Sequence, residues 1–241
     1  MQIETLAYEA DVPMSGTLYT PDRPGRAPGV IVFPDIFGPG DHSRERAVKL
    51  CELGYVAFAA DLHGSGCELD VDAAMAELSQ FYEAPERPCQ RGAAALRTVA
   101  ERADVDPARM AAIGFCYGGT LALEMARLGA PLKAVVGFHS GLATSNPDGA
   151  ARVQGKVLAC IGSEDPSIPP EQRAAFEAEM RAAGVDWQLH LYGGVYHTFT
   201  DWRVDRRGRP EFARYDAVAD RRSWIAMRSL LDEALAGEHQ D

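Results

Sequence analysis

The ten residues Met110-Ala111-Ala112-Ile113-Gly114-Phe115-Cys116-Tyr117-Gly118-Gly119 constrain this chain most, because an apolar run passes directly into Gly-x-Cys-x-Gly and then into a helical pattern. A strand that turns at once into a helix pushes the residue at the bend out of the sheet, in a backbone conformation that its neighbours must hold. Gly114 and Gly118 lack a Cβ, so the incoming strand and outgoing helix can approach closely. A helix beginning near Tyr117 aims its free N–H groups and positive dipole end at the Cys116 sulfur, which favours thiolate. Taken alone, a cysteine in an apolar run reads as a small buried hydrophobe. The paired glycines and the strand-to-helix switch favour a nucleophile instead, and with it a cysteine-dependent hydrolase or acyl-transfer enzyme.

The rest of the chain fits that turn. Two short strand patterns, 3–8 and 16–19, flank Asp11-Val12-Pro13 and predict an antiparallel hairpin. Continuous apolar runs at 30–33, 55–60, 134–138, 156–161 and 187–192 predict strands, most of them buried on both faces. Helical spacing covers 43–53, 70–82 and 90–103, with a break at Pro85 and Pro88. It recurs through Leu121, Met125 and Leu128, through Phe176, Met180 and Ala183, and through Trp224, Met227, Leu231 and Leu235. Asp106-Pro107 is expected to cap a turn before the elbow strand, and 146–151 and 204–210 to be surface loops. Strands alternating with helices predict a mostly parallel sheet covered on both faces, with the hairpin as its antiparallel edge. That is the α/β-hydrolase layout, expected as a single domain over 1–241.

The charge balance narrows the substrate. With 24 Lys+Arg against 35 Asp+Glu, the formal charge is −11, and such a surface repels nucleic acid and anionic membrane. A small-molecule substrate is expected, and an anionic one would need a local basic pocket. Five cysteines form no Cys-x-x-Cys pair and the six histidines show no ligand spacing, so neither a disulfide framework nor a metal site is expected. The first residues lack the basic flank and apolar core of a signal peptide, and no apolar run is long enough to span a bilayer, which predicts a cytoplasmic protein. It is expected to be a monomer or small homo-oligomer that works without a cofactor.

A nucleophile at a strand's carboxyl end needs a base, and the base needs a carboxylate to fix its tautomer. In this fold the chain order is nucleophile, acid, histidine. Gly162-Ser163-Glu164-Asp165-Pro166 follows one late strand and Gly193-Gly194-Val195-Tyr196-His197-Thr198-Phe199 follows the last. Asp165 is the predicted acid, because its distance from the strand end and the proline after it suit a shaped turn, whereas Glu164 is expected to face solvent. Singly, His197 reads equally as a surface histidine and Asp165 as a turn residue. Their order and placement together predict the triad Cys116, Asp165, His197.

Gly114-Phe115-Cys116-Tyr117-Gly118-Gly119, Asp165, His197-Thr198-Phe199 and Pro34-Asp35-Ile36-Phe37-Gly38 together resemble the dienelactone hydrolase family, over nearly the whole chain. The resemblance implies that Cys116 attacks the carbonyl of a lactone, that His197 acts as base and then as acid, and that an acyl-enzyme is hydrolysed. It also implies an oxyanion hole from the backbone N–H groups of Ile36 and Tyr117, where loss of one donor costs about a hundredfold or more in turnover. Well-known family members carry a glutamate that interacts with the resting cysteine, where this chain has Asp35. One methylene shorter, Asp35 reads equally as a partner of the thiol or as a loop carboxylate held by backbone N–H groups. Those members also bind the substrate carboxylate with an arginine soon after the histidine and another in the helix after the second carboxyl-end loop. Here Thr200 and Asp201 follow Phe199, and 70–82 contains no arginine, which leaves Arg203, Arg206, Arg87 and Arg91 as candidates or as plain surface charge. Phe37, Tyr82, Tyr117, Tyr196 and Trp202 are expected near the cleft and would suit a partly apolar substrate. The expected activity is hydrolysis of a small ester or lactone. The alternatives are a thioesterase or acyltransferase using the same triad, and a non-catalytic binding or redox-sensing protein in which Cys116 is reversibly oxidised.

Overall fold

The computed structural model describes residues 1–237. The strands are β1 (Gln2–Glu9), β2 (Pro13–Thr20), β3 (Ala27–Phe33), β4 (Val56–Ala59), β5 (Val105–Phe115), β6 (Ala134–Phe138), β7 (Lys156–Gly162) and β8 (Trp187–Tyr192). The α-helices are α1 (Asp41–Glu52), α2 (Val71–Glu83), α3 (Glu86–Ala100), α4 (Tyr117–Arg127), α5 (Pro170–Ala183) and α6 (Ala217–Leu235). One eight-stranded sheet has the order β1-β2-β4-β3-β5-β6-β7-β8. β1 and β2 pair antiparallel, β2 pairs antiparallel with β4, and the strands from β4 through β8 run parallel. This is the α/β-hydrolase arrangement expected from the sequence.

The alternation within the central strands explains the layers. In β3, Ile31 and Phe33 point into a core shared with α3, α4 and α5, while Val30 and Val32 point to the opposite face, into a core shared with α1 and α6. Side chains two apart share a face, so a continuous apolar run supplies both cores at once. Asp70 caps α2 by accepting from the Ala73 N–H, and Asp216 caps α6 by accepting from Val218 and Ala219. Among the described residues no helix is long and apolar enough to cross a membrane.

Several boundaries differ from expectation. α3 starts at Glu86 rather than near residue 90, and Pro88 lies in its first turn, where a missing N–H breaks no intrahelical bond. Asp106-Pro107 lies inside β5 rather than before it. The β3–β5 pairing steps from Pro28↔Asp106 to Gly29↔Met110, and the Asp106 carboxylate accepts from the Ala108 N–H within the displaced segment. Leu128 caps α4 and is exposed, off the buried face assigned to it. The two expected surface loops carry short 3-10 helices, Pro147–Arg152 and Trp202–Arg207, which bury Ala150 and Val204.

Candidate active site

Cys116 stands at the junction of β5 and α4 with φ 51° and ψ −115°. Its N–H donates to Phe138 O at 2.9 Å, extending the β5–β6 ladder by one residue before the chain turns. The turn depends on its glycines: a Cβ on Gly114 would lie 2.2 Å from the Gly118 backbone, and one on Gly118 would lie 2.2 Å from Pro34 O. No side chain fits at either contact. The Cys116 side chain is partly exposed, at the floor of a cavity.

The loops after β7 and β8 bring the other two predicted residues to the sulfur. His197 Nδ1 donates to Asp165 Oδ2 at 2.6 Å, and His197 Nε2 lies 3.1 Å from Cys116 Sγ. The other Asp165 oxygen accepts from the Ser167 N–H at 2.9 Å, which fixes the carboxylate plane. Glu164 is exposed and accepts from Ser163, as the sequence suggested. Burial alone would push the His197 pKa down. The electrostatic pull and hydrogen bonds of the neighbouring Cys116 sulfur and Asp165 carboxyl outweigh it and raise the pKa to about 10. His197 is also clamped by its backbone. Its N–H donates to Phe212 O, its carbonyl accepts from the Arg214 N–H, and Phe199 O accepts from Asp216 N–H, so residues 212–216 strap the histidine loop.

Opposite the elbow, Asp35-Ile36-Phe37 leave the carboxyl end of β3. Ile36 and Tyr117 both line the cavity beside Cys116, and the Tyr117 N–H lies in the first turn of α4, where no intrahelical acceptor exists. His63 Nε2 donates to Ile36 O at 3.0 Å and ties this loop to the one after β4. Asp35 accepts from the Phe37 N–H at 2.9 Å and faces Arg207 at 3.7 Å, so it is held by backbone and guanidinium. Burial raises its pKa to about 6, against the opposing pull of Arg207 and the Phe37 N–H.

None of the four candidate arginines lines the cavity. Arg87 and Arg91 bind Asp11, Arg203 binds Asp201 and Glu45, and Arg206 stacks on Trp202. Arg207 and Arg209 line it instead, with the Arg207 guanidinium 3.7 Å from the Phe37 ring centroid. Of the expected aromatics, Phe37 and Tyr117 line the cavity. Tyr196 stacks with Arg214, Trp202 is half exposed, and the Tyr82 side chain lies outside the described residues. Phe81 and Phe212 complete the aromatic lining.

A buried polar group behind His197 was not anticipated. His139, directly after β6 with φ 41°, packs edge-on to the His197 ring at 5.2 Å, and its Nε2 lies 2.9 Å from Thr200 Oγ1. Arg46 Nη2 donates to Thr200 O and to Asp220, while His42 Nε2 lies 3.2 Å from the same Thr200 carbonyl. Burial, and for His42 also the Arg46 charge, lowers both pKa values, that of His42 to about 3. Both rings stay neutral near pH 7. The available signal was the position of His139 at a strand's carboxyl end, the rule that located the other site residues.

The cavity above the sulfur has a volume of about 670 Å³, within the range of small-molecule sites. Among the described residues no group of three or more His, Cys, Asp or Glu side chains is placed to hold a metal ion.

Comparison with known proteins adds an independent finding. Residues 14–235 match the family described as the dienelactone hydrolase family. A probable 2-oxo-3-(5-oxofuran-2-ylidene)propanoate lactonase from Bradyrhizobium sp. is 31% identical over 83% of this chain and 86% of its own length. A putative carboxymethylenebutenolidase from Methylorubrum extorquens is 28% identical over 85% and 76%. Among solved structures, a dienelactone hydrolase-like promiscuous phosphotriesterase from metagenomic libraries superposes with a TM-score of 0.92 at 38% identity, over 98% of this chain and 99% of its own.

Proposed function

The chain belongs to the dienelactone hydrolase family, and from that premise we propose that it hydrolyses a small carboxylic ester or lactone through an acyl-enzyme on Cys116. The observation that carries this reading is the line Asp165–His197–Cys116, with contacts of 2.6 and 3.1 Å, at the floor of the cavity. The Cys116 sulfur adds to the carbonyl carbon, and the carbonyl π electrons move to oxygen, facing the N–H groups of Ile36 and Tyr117. When the C–O bond to the leaving group breaks, the His197 Nε2 proton passes to the departing oxygen. A water then loses a proton to Nε2 and adds to the thioester, and collapse expels the thiolate with the free acid. Asp165 keeps Nδ1 protonated and the ring in plane throughout. A thiolate leaves a tetrahedral intermediate more readily than an amide nitrogen does, so activated esters, lactones and thioesters are favoured over peptides.

The test is turnover of p-nitrophenyl acetate and of dienelactone by the wild type and Cys116→Ala, with intact-protein mass recorded during the reaction. Expected is a transient acyl adduct in the wild type, with adduct and turnover both lost in the variant. Neither adduct nor turnover in the wild type overturns the hydrolase reading in favour of a redox sensor.

A further inference from the structure

The walls of the cavity differ in chemistry. On one side α2 presents Val71, Met75, Leu78 and Phe81, a stripe at helical spacing that lines the cavity. Val71 is 63% and Met75 46% exposed. Neighbouring apolar side chains left open along a cavity wall mark a surface that a ligand covers. The inner end of the stripe meets the elbow, since the Phe81 ring packs edge-on to Tyr117 at 5.1 Å. The opposite side belongs to the histidine, whose ring meets Phe212 at 5.2 Å.

These two sides have different roles if Cys116 cleaves esters. The general acid must reach the leaving oxygen, so the alcohol portion faces His197 and Phe212. The acyl substituent projects the other way, past Tyr117 toward α2. No cationic side chain of α2 lines that wall. Of the two arginines that line the cavity, Arg207 stands over Phe37 and faces the Asp35 carboxylate, and Arg209 stands over Phe212 and pairs with Glu211, while Arg87, which donates to Gln80 of α2, is bound to Asp11. Glu124, also in the lining, is bound to Arg127 at 2.7 Å.

Resting on the proposed ester cleavage, we propose that the acyl part of the substrate is an uncharged apolar chain or ring seated along the α2 stripe. A carboxylate there would lose its hydration without gaining an unshared cation. Each methylene buried against the stripe raises kcat/KM by up to about fourfold.

The experiment compares kcat/KM for p-nitrophenyl acetate, butyrate and hexanoate with that for the mono-p-nitrophenyl ester of adipic acid, in which a carboxylate replaces the terminal methyl of the six-carbon chain. Cys116→Ala supplies the background. Expected is a rise of at least about tenfold from acetate to hexanoate, and an adipate ester at least about tenfold poorer than hexanoate. Met75→Asp, at a side chain open enough to accept the change, is expected to cut the hexanoate-to-acetate ratio severalfold. Cys116-dependent turnover with a flat or falling chain-length series, or with the adipate ester preferred, overturns the acyl assignment and leaves ester hydrolysis standing. Absence of Cys116-dependent turnover with all four esters overturns both.

Discussion

Among the described residues three other than glycine have positive φ, namely Cys116, His139 and Thr198, and all of them stand at the site. Such conformations cost of order 1–3 kcal/mol each and persist only where surroundings enforce them. Cys116→Gly relieves that strain and Cys116→Ala does not, so the glycine variant is expected to be more stable by about 1 kcal/mol in urea unfolding, after allowing for its greater unfolded-state entropy. Asp35 gives a pH prediction. Its folded pKa of about 6 lies above its ordinary 3.8, so the folded state holds the proton more tightly. Stability contributed at this site therefore falls as pH rises from about 4 to about 6 and stays low above. Arg207 and the Phe37 N–H oppose the shift, while Asp201 and Glu68 add to it. Asp35→Asn removes the decline, and its stability relative to wild type is expected to be greater at pH 7.5 than at pH 4 by up to about 3 kcal/mol in urea titrations. The meeting of Cys116, Asp165 and His197 was legible because each residue follows a recognisable strand end, and the elbow carries its glycines in sequence. The partner of Asp35 was not legible, because a carboxylate at the end of β3 gives no local sign of a guanidinium more than 170 residues further along.

The element that escaped sequence reading is the segment from Trp202 to Asp216. It has no sustained period and is rich in charge, so it reads as solvated loop, yet it buries Val204, lines the cavity through Arg207 and Arg209, and clamps His197 by main-chain bonds. A 3-10 turn of six residues leaves too few side chains to print a face. α3 was misjudged for a related reason, since prolines at its start looked like a break and are in fact tolerated in a first turn. The stacking of Arg207 on Phe37 holds the segment down. Phe37→Leu removes a contact of about 0.5–1 kcal/mol, and subtilisin cleavage within 205–211 is expected to accelerate about two- to fivefold, read by mass spectrometry. Unchanged cleavage would mean that the clamp on His197 alone fixes the segment.

At the scale of the whole molecule, the mostly parallel sheet, its cover on both faces and the antiparallel edge follow from apolar runs separated by helical spacing, whereas the order in which the strands lie side by side leaves no mark in those runs. The charged interior leaves none either. Arg127, 1% exposed on α4, binds Glu124 on its own helix, Glu179 on α5, and Leu142 O in the loop after β6 that leads into the cavity wall. A helical pattern shows such an arginine only as a polar residue near a helix end. Removing it strands two carboxylates, so Arg127→Met is expected to destabilise the protein by about 3–5 kcal/mol in urea unfolding. A loss below about 1 kcal/mol would show that solvent reaches the carboxylates.

The order in which the ribosome delivers these parts matters as well. Cys116 leaves the tunnel with β5, about eighty residues ahead of His197, and the strap on the histidine loop comes later still, at 212–216. A nascent chain thus carries the Cys116 thiol for some eighty residues before the His197 ring that meets it in the fold has been made, and for longer still before that ring can be held in place.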